Sequence, residues 1–151
     1  MSKRNKKKPQ IKDKPSDKKT IRVKENPEST NCETIAWHFG IIDVEHKKWG
    51  CKIIDKEVLW NKIFKKIVNL EKMNWGEIEC NKKKNHLVPV RDLCNEAKKR
   101  LKEIKQDDVD DLFVIHFNGK PCLWGIRSGR VFKIIWWDPN HEVCPAIKKN
   151  T

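Results

Sequence analysis

The chain lacks closely spaced cysteine pairs and any long apolar run, and these absences argue against several classes of protein. It has six cysteines, but no two lie two to four residues apart, the spacing by which structural zinc sites aim two ligands at one ion. We therefore predict no metal and no cofactor. No run of 18 apolar residues occurs and no apolar core follows the charged start, so we expect no membrane span and no secretion signal. The expected location is the cytoplasm, where cysteines stay reduced.

The sequence also lacks an internal repeat and any pattern of a nucleophilic Ser or Cys with a fixed base. Protease and esterase activities therefore have no support from the sequence. At 151 residues and 37% hydrophobic residues, the chain is long enough for one domain with a modest core.

Positive charge is concentrated at the start of the chain. Residues 1–24 contain eleven Lys or Arg against two Asp, a net charge of +9, which leaves +4 of the total of +13 for the rest. Three prolines and no apolar periodicity predict a disordered polybasic tail over residues 1–31, followed by a single α+β domain over residues 32–151. Such a tail attracts any polyanion through counterion release; a merely solubilising tail is the alternative.

Two segments have the periodicity of amphipathic helices. From about residue 55 to residue 73, apolar side chains recur every 3.6 residues behind Asp55, a plausible N-cap. A second apolar stripe runs from residue 90 to residue 105, with basic residues on the remaining faces. Between them, Asn74 and Glu77 have the spacing of a capping box, which indicates a further short helical turn.

Strand-like runs flank these helices. One covers residues 34–42, and three more cover residues 112–117, 122–127 and 131–137, separated by the turn signals Asn118-Gly119-Lys120-Pro121 and Ser128-Gly129. The order strand, helix, helix, strand, strand, strand predicts an α+β fold. In it, two helices pack on one face of a small, mainly antiparallel four-stranded sheet.

The last hairpin also predicts how side chains divide between the two faces of the sheet. Pairing residue 127 with residue 130 places Leu123, Phe132, Ile134 and Trp136 on the face that meets the helices. The opposite face, which includes Trp124 and Trp137, is too apolar for plain solvent contact. It is therefore either covered by other parts of the chain or a docking site for a partner.

The element order, the basic helices and the segment FNGKPCLWGIRSGRVFKIIWWDPNHEV resemble the RelE/ParE superfamily of small bacterial toxins, over roughly residues 34–145. The ending WWDPNHEV also resembles short bacterial proteins of unassigned function. The toxin resemblance implies metal-independent acid/base cleavage of RNA, or action on DNA gyrase, and a cognate antitoxin protein as partner. The chain has no tyrosine, so His141 would have to replace the late Tyr that helps move protons in such toxins.

RNA cleavage at the 2′-hydroxyl needs a base, an acid and a cation near the phosphate. His141 is the candidate for proton transfer, because it follows the last strand in a turn where Asp138 could hold its ring. Lys120 is the candidate cation, since the first hairpin turn should lie at the same end of the sheet. The alternative is that residues 138–141 form an ordinary Asp-Pro turn without chemistry.

Contacts with nucleic acid are expected from basic and aromatic residues elsewhere, because Arg and Lys bind phosphate and aromatic rings stack on bases. The candidates are Arg127, Arg130, Lys133, Lys98, Lys102, His86, Trp124 and Trp137. Arg127 should lie ~20 Å from His141 along a strand, so these two are not expected to share one small site. A solvated loop for His86, and core packing for most tryptophans, are the alternatives.

The leading hypothesis is a small nucleic-acid-directed protein that acts as a toxin-like endoribonuclease. The first alternative is a non-catalytic module that contacts nucleic acid through its basic tail and a partner protein through an aromatic sheet face. The second is an inactive structural accessory of a mobile element.

Overall fold

A five-stranded mixed sheet forms the centre of the structure. The computed structural model describes residues 30–81 and 83–145. The strands are β1 (Ala36–His38), β2 (Asn85–Pro89), β3 (Asp111–His116), β4 (Cys122–Ser128) and β5 (Val131–Asp138). Their order across the sheet is β1-β5-β4-β3-β2. β1 runs parallel to β5, and the other neighbours are antiparallel.

Two of the helices begin at the caps that the sequence predicts. The first long helix consists of α1 (Lys56–Val58), a π-helical segment (Leu59–Phe64) and α2 (Lys65–Glu71); it is followed by α3 (Trp75–Cys80) and α4 (Asn95–Glu103). Asp55 accepts a hydrogen bond from the amide of Glu57 at 2.8 Å, and Asn74 and Glu77 close a capping box. Short 3-10 turns cover Cys51–Ile53 and Val90–Asp92. Because the second of these turns occupies the predicted start at residue 90, the second predicted helix begins only at Asn95.

Helices cover both faces of the sheet. Ile63, Ile67 and Leu70 of the first long helix, with Trp75 and Ile78 of α3, belong to one buried cluster. The buried side chains of α4 belong to a second cluster on the other face, together with Trp49. The α+β class is confirmed, but the prediction that two helices share one face is wrong. The sequence signal for helices on both faces was the continuous apolar run Leu112–Ile115 of β3. All four side chains are buried, so both faces of the sheet must be covered there.

The four-stranded prediction is also wrong, because it omits β2. This strand pairs with β3 along the sheet edge and ends at Pro89, which pairs with Asp111. Proline lacks an amide hydrogen, so it is tolerated in a strand at an edge or an end, and here it is at both. The predicted first strand is real but short: of residues 34–42, only Ala36–His38 pair with β5.

A β-bulge divides the side chains of β5 differently from the prediction. The register shifts between Trp124 and Gly125, so that Trp124 pairs with Trp136 but Gly125 pairs with Ile134. The extra residue turns Trp136 to the α4 side and Trp137 to the other, the reverse of the predicted assignment. Ser128 pairs with Val131, so the predicted pairing of residues 127 and 130 is wrong as well.

The predicted tail lies mostly outside the described residues. Residues 1–29 are not described, whereas Thr30 and Asn31 accept hydrogen bonds from the Arg127 guanidinium at 3.2 and 3.1 Å. These two residues therefore belong to the folded part and not to the tail. Among the described residues, no helix has the length and apolar character needed to cross a bilayer.

A buried carboxylate joins the loop after β1 to both α4 and β5. Asp43 accepts two hydrogen bonds of 2.8 Å from Arg100 and one of 2.9 Å from the indole of Trp136. It also accepts bonds from the amides of Glu45 and His46. Burial by itself would raise the pKa of Asp43, but the bonds from Arg100 and Trp136 outweigh it and hold the pKa at about 2.

Replacing Asp43 by Asn should lower the free energy of unfolding by about 3 kcal/mol at pH 7, because Arg100 loses its buried carboxylate partner and keeps only Glu103. A carboxyl pKa below its ordinary 3.8 stabilises the fold above about pH 4, and this contribution is lost as pH falls toward 2. Urea unfolding should therefore show the difference between wild type and Asp43→Asn shrinking over that range. Glu45→Gln, at an exposed ion pair with Lys52, is the control with little effect. A difference independent of pH would contradict this role.

Replacing Gly125 by Ala tests the bulge. A Cβ there would lie 2.4 Å from the carbonyl oxygen of Lys133 and 2.7 Å from the ring of Phe132, so we expect a loss of about 1–3 kcal/mol in urea unfolding. Gly76→Ala is the matched control, since its closest contact is 3.3 Å and helix propensity favours alanine there. Equal stabilities of the two variants would show that the backbone at Gly125 yields easily.

Candidate functional site

Three histidines gather at one end of the sheet. His86 lies in β2, His116 ends β3, and His141 lies in the turn after β5. The rings of His116 and His141 stack with centroids 5.3 Å apart, and those of His86 and His116 stack at 5.8 Å. All three are half-buried. They are far apart in the sequence, and only the fold brings them together.

The strand register places the neighbours of these rings. His116 pairs with Cys122, and Cys122 pairs with Asp138, so the three residues lie side by side on β3, β4 and β5. Directly paired residues of antiparallel strands project to the same face, and Cys122 belongs to the cluster on the α4 side. The β3–β4 turn with Lys120 lies at this end, as the sequence predicted.

Asp138 shapes the turn that carries His141. It is fully buried, and its two oxygens accept hydrogen bonds of 2.9 Å from the amides of Glu142 and Val143. The carboxylate therefore holds the backbone of the turn and not the ring of His141, which corrects the predicted role. His141 has φ of +59°, a left-handed conformation in which a residue other than glycine is held only by its surroundings.

The hydrogen bonds of His116 fix its protons. Its Nδ1 contacts the carbonyl oxygen of Lys84, which can only accept, so Nδ1 carries the hydrogen. The lone pair on Nε2 then faces Nε2 of His141 at 3.1 Å and accepts its hydrogen. Burial lowers the pKa of His116, and the neighbouring His141 and His86 lower it further. His116 is therefore neutral at pH 7.

Cys122 completes the group. Its Sγ and the nearest ring nitrogens of His116 and His141 all lie within 4.8 Å of one another. The thiol donates a hydrogen bond to the carbonyl oxygen of Lys120 at 3.3 Å. Burial, with a contribution from Asp138, raises the pKa of Cys122 to about 12, so it is a thiol at neutral pH. All six cysteines are free.

Lysines surround the same end of the sheet. Lys66 of α2 reaches around from the opposite face, with its ammonium 5.9 Å from the ring centroid of Phe117. Burial lowers the pKa of Lys66, and the nearby charge of Lys84 lowers it further. Within the described residues, Lys66, Lys84 and Lys120 have no carboxylate partner.

The arginines predicted to bind nucleic acid lie at the other end of the sheet. The guanidinium of Arg127 is buried against the ring of Trp75 at 4.1 Å and pairs with Glu79, so it holds the fold together. Arg130 is half-exposed, pairs with Glu33 at 3.7 Å and donates to the carbonyl of Thr34. As expected from strand length, neither shares a site with His141.

The remaining predicted residues are scattered. Lys98 and Lys102 lie on α4, and Lys133 is half-buried in β5 beside β1. Trp124 and Trp137 are 1% and 5% exposed, so their rings fill the core and leave no face for a base. The other predicted possibility for that face, cover by the chain itself, is what the structure shows for Trp124.

The sequence analysis missed Trp60, the most exposed aromatic side chain among the described residues. It is 61% exposed and stacks on Phe64, with ring centroids 4.8 Å apart. Both rings lie beside the buried stripe of the first long helix, in its π-helical segment. Their position off the stripe was the signal that could have identified them as surface residues.

Comparison with protein-family models, curated proteins and solved structures finds no match to this chain. The toxin resemblance therefore stays a prediction.

Imidazole NMR tests the histidine pair. The titration of His116 should have a midpoint below the ordinary value of 6.5, with the hydrogen on Nδ1. His141→Asn should raise that midpoint because it removes a neighbouring positive charge, and Asn tolerates the left-handed backbone. A midpoint unchanged by this substitution would show that the two rings are not coupled. His38→Asn, at an exposed histidine, is the control.

Proposed function

We propose that this chain is an RNA-binding protein whose contact with the phosphate backbone lies at the histidine end of the sheet. The observation that supports this most directly is that two lysines lie beside the histidine rings. The Lys66 ammonium is 5.9 Å from the ring centroid of Phe117, the residue after His116, and Lys84 accepts from Nδ1 of His116 through its carbonyl oxygen. Burial and then the nearby charge of Lys84 lower the pKa of Lys66. Holding two like charges together is unfavourable in the free protein. A bound anion would relieve that repulsion, and phosphate groups are the anions that a row of lysines and imidazoles suits.

The balance of charge at this end favours an extended anion. Two exposed lysines elsewhere are paired with carboxylates, Lys48 with Glu96 at 2.7 Å and Lys52 with Glu45 at 3.5 Å. Asp138, the carboxylate that lies beside the histidines at this end of the sheet, is buried and accepts hydrogen bonds from two backbone amides. A phosphate chain would therefore meet lysines and imidazole rings without a facing carboxylate from this group.

Trp60 supports single-stranded over double-stranded nucleic acid. Unpaired bases stack on exposed aromatic rings, and Trp60 stacked on Phe64 offers a wide, rigid surface. It precedes Lys66 by six residues on the same helix, roughly 9 Å along the axis.

Binding is better supported than cleavage. An acid/base nuclease needs its two proton-transferring groups on different sides of the scissile phosphate. The Nε2 atoms of His116 and His141 are in direct contact at 3.1 Å, so they share one proton and leave no space for a phosphate between them. The toxin-like endoribonuclease is kept as the rival hypothesis, with His141 as its test residue.

Binding of a labelled single-stranded RNA to the full chain should separate the site from general charge attraction. The double variant Lys66→Ala/Lys84→Ala should weaken binding about tenfold and reduce the magnitude of the salt slope by about 1.4, the value for two lost phosphate contacts. Trp60→Ala should cost about 1–3 kcal/mol without changing the slope. Lys47→Ala/Lys72→Ala removes the same charge from two exposed positions in other segments and is the matched control.

Equal losses in the two double variants would contradict the proposed site. The same samples, incubated with chelator and examined for RNA fragments, test the rival hypothesis. Fragments that disappear in His141→Ala would establish the nuclease; intact RNA at saturating protein supports binding alone.

A further inference from the structure

We propose that His116, His141 and Cys122 form a binding site for a divalent transition metal ion of the zinc type. The site would use Nε2 of each imidazole and the Cys122 sulfur, and it would leave one coordination position open. This departs from the sequence-based expectation of no metal, which rested on the spacing of cysteines alone.

The distances suit one ion. Bonds of about 2.0–2.1 Å to nitrogen and 2.3 Å to sulfur place tetrahedral ligand atoms roughly 3.3–3.6 Å apart. The two Nε2 atoms are 3.1 Å apart, and the three ligand atoms lie within 4.8 Å of one another. The nitrogens therefore need almost no movement, and the sulfur needs at most roughly 1.2 Å to reach the tetrahedral spacing.

The surroundings orient the ligands. Metal-bound histidines usually donate their other ring hydrogen to a carbonyl or carboxylate, and Nδ1 of His116 does so to Lys84. Asn85 holds that segment, because its Oδ1 accepts from the amide of His116 at 3.3 Å and its Nδ2 donates to Ile78 at 3.1 Å. The left-handed His141 is fixed by the turn that Asp138 closes. The ligands are thus preorganised by buried contacts from four segments.

The ligand types select the ion. Two imidazoles and one thiolate suit Zn²⁺, Co²⁺, Ni²⁺ or Cu²⁺, whereas Mg²⁺ and Ca²⁺ require oxygen ligands. Three protein ligands with a fourth open position are the pattern of exchangeable zinc sites. Both imidazoles are half-buried, whereas Cys122 is fully buried. The lysines around the site favour an anionic fourth ligand.

The proton balance of binding is explicit. The ion takes the two Nε2 lone pairs, so the hydrogen that His141 shares with His116 moves to Nδ1 of His141. The Cys122 sulfur forms its bond to the metal as a thiolate, and its proton leaves to solvent. One proton is therefore released for each ion bound, and affinity should rise about tenfold per pH unit between pH 7 and pH 9.

Cobalt titration of the full chain, stripped with chelator and kept reduced, tests the site. One Co²⁺ should bind per chain, with the visible bands of tetrahedral coordination and a thiolate-to-cobalt charge-transfer band, and Zn²⁺ should displace it. Cys122→Ser should remove the charge-transfer band and flatten the pH dependence. His141→Asn should weaken binding at least tenfold while its circular dichroism and unfolding midpoint stay near wild type.

Two controls separate this site from other thiols and histidines. Cys94→Ser/Cys144→Ser removes neighbouring thiols and should keep the band, and His86→Asn should bind cobalt as wild type does. A band that survives Cys122→Ser but is lost in the double cysteine variant would overturn the proposal, as would the absence of saturable cobalt binding to the wild type. The His141→Asn result decides the matter if Cys122→Ser fails to fold.

Discussion

The arrangement at the histidine end depends on one buried carboxylate. Asp138 has no solvent contact, so its two oxygens must be satisfied by the protein, and the amides of Glu142 and Val143 are the donors that satisfy them. Meeting that demand bends the chain back over the sheet as soon as β5 ends. The bend returns His141 to His116, and it places Val143 in the core beside α4. The turn after β5 therefore forms part of the candidate site and does not extend into solvent.

The sheet owes its two covered faces to the bulge in β5. One extra residue puts Ile135 and Trp136 on the α4 side and leaves Ile134 and Trp137 for the first long helix. Without the bulge, side chains would alternate between the two faces along the whole of β5. Ile135 and Trp136 would then lie on opposite faces of the sheet. The same irregularity brings the Trp136 indole to Asp43, and so links the central sheet to Arg100 on α4.

Local signals in the sequence predicted the elements well and their arrangement poorly. The Asp55 cap, the Asn74–Glu77 capping box and the three apolar runs near the end depend on neighbours a few residues away, and each is present in the structure. β2 was missed because a lysine run before it and Pro89 at its end have the composition of a loop. An apolar stripe shows which face of a helix is buried, but it does not show which face of the sheet the helix packs on. The packing of helices on both faces of the sheet could therefore not be predicted.

The candidate site illustrates the same limit. His116 and Cys122 are six residues apart on different strands, and His141 lies beyond a third, so no spacing rule connects them; only the register does. His141 was identified from its turn, but its partner was expected to be Asp138 and is His116. The position of Trp60 beside the buried stripe marks it as a surface residue, but the stripe does not show that its ring stacks on Phe64.

The pairing of β1 with β5 delays completion of the fold until the end of translation. Ala36 lies beside Val131, and the first long helix and α3 bury their apolar sides against residues of β3, β4 and β5, all made near the end of translation. A nascent chain that stops before residue 111 therefore carries amphipathic helices with nothing to cover them. Such a chain cannot complete its fold as it leaves the ribosome. Until β3, β4 and β5 have been made, its apolar surfaces are exposed to chaperones.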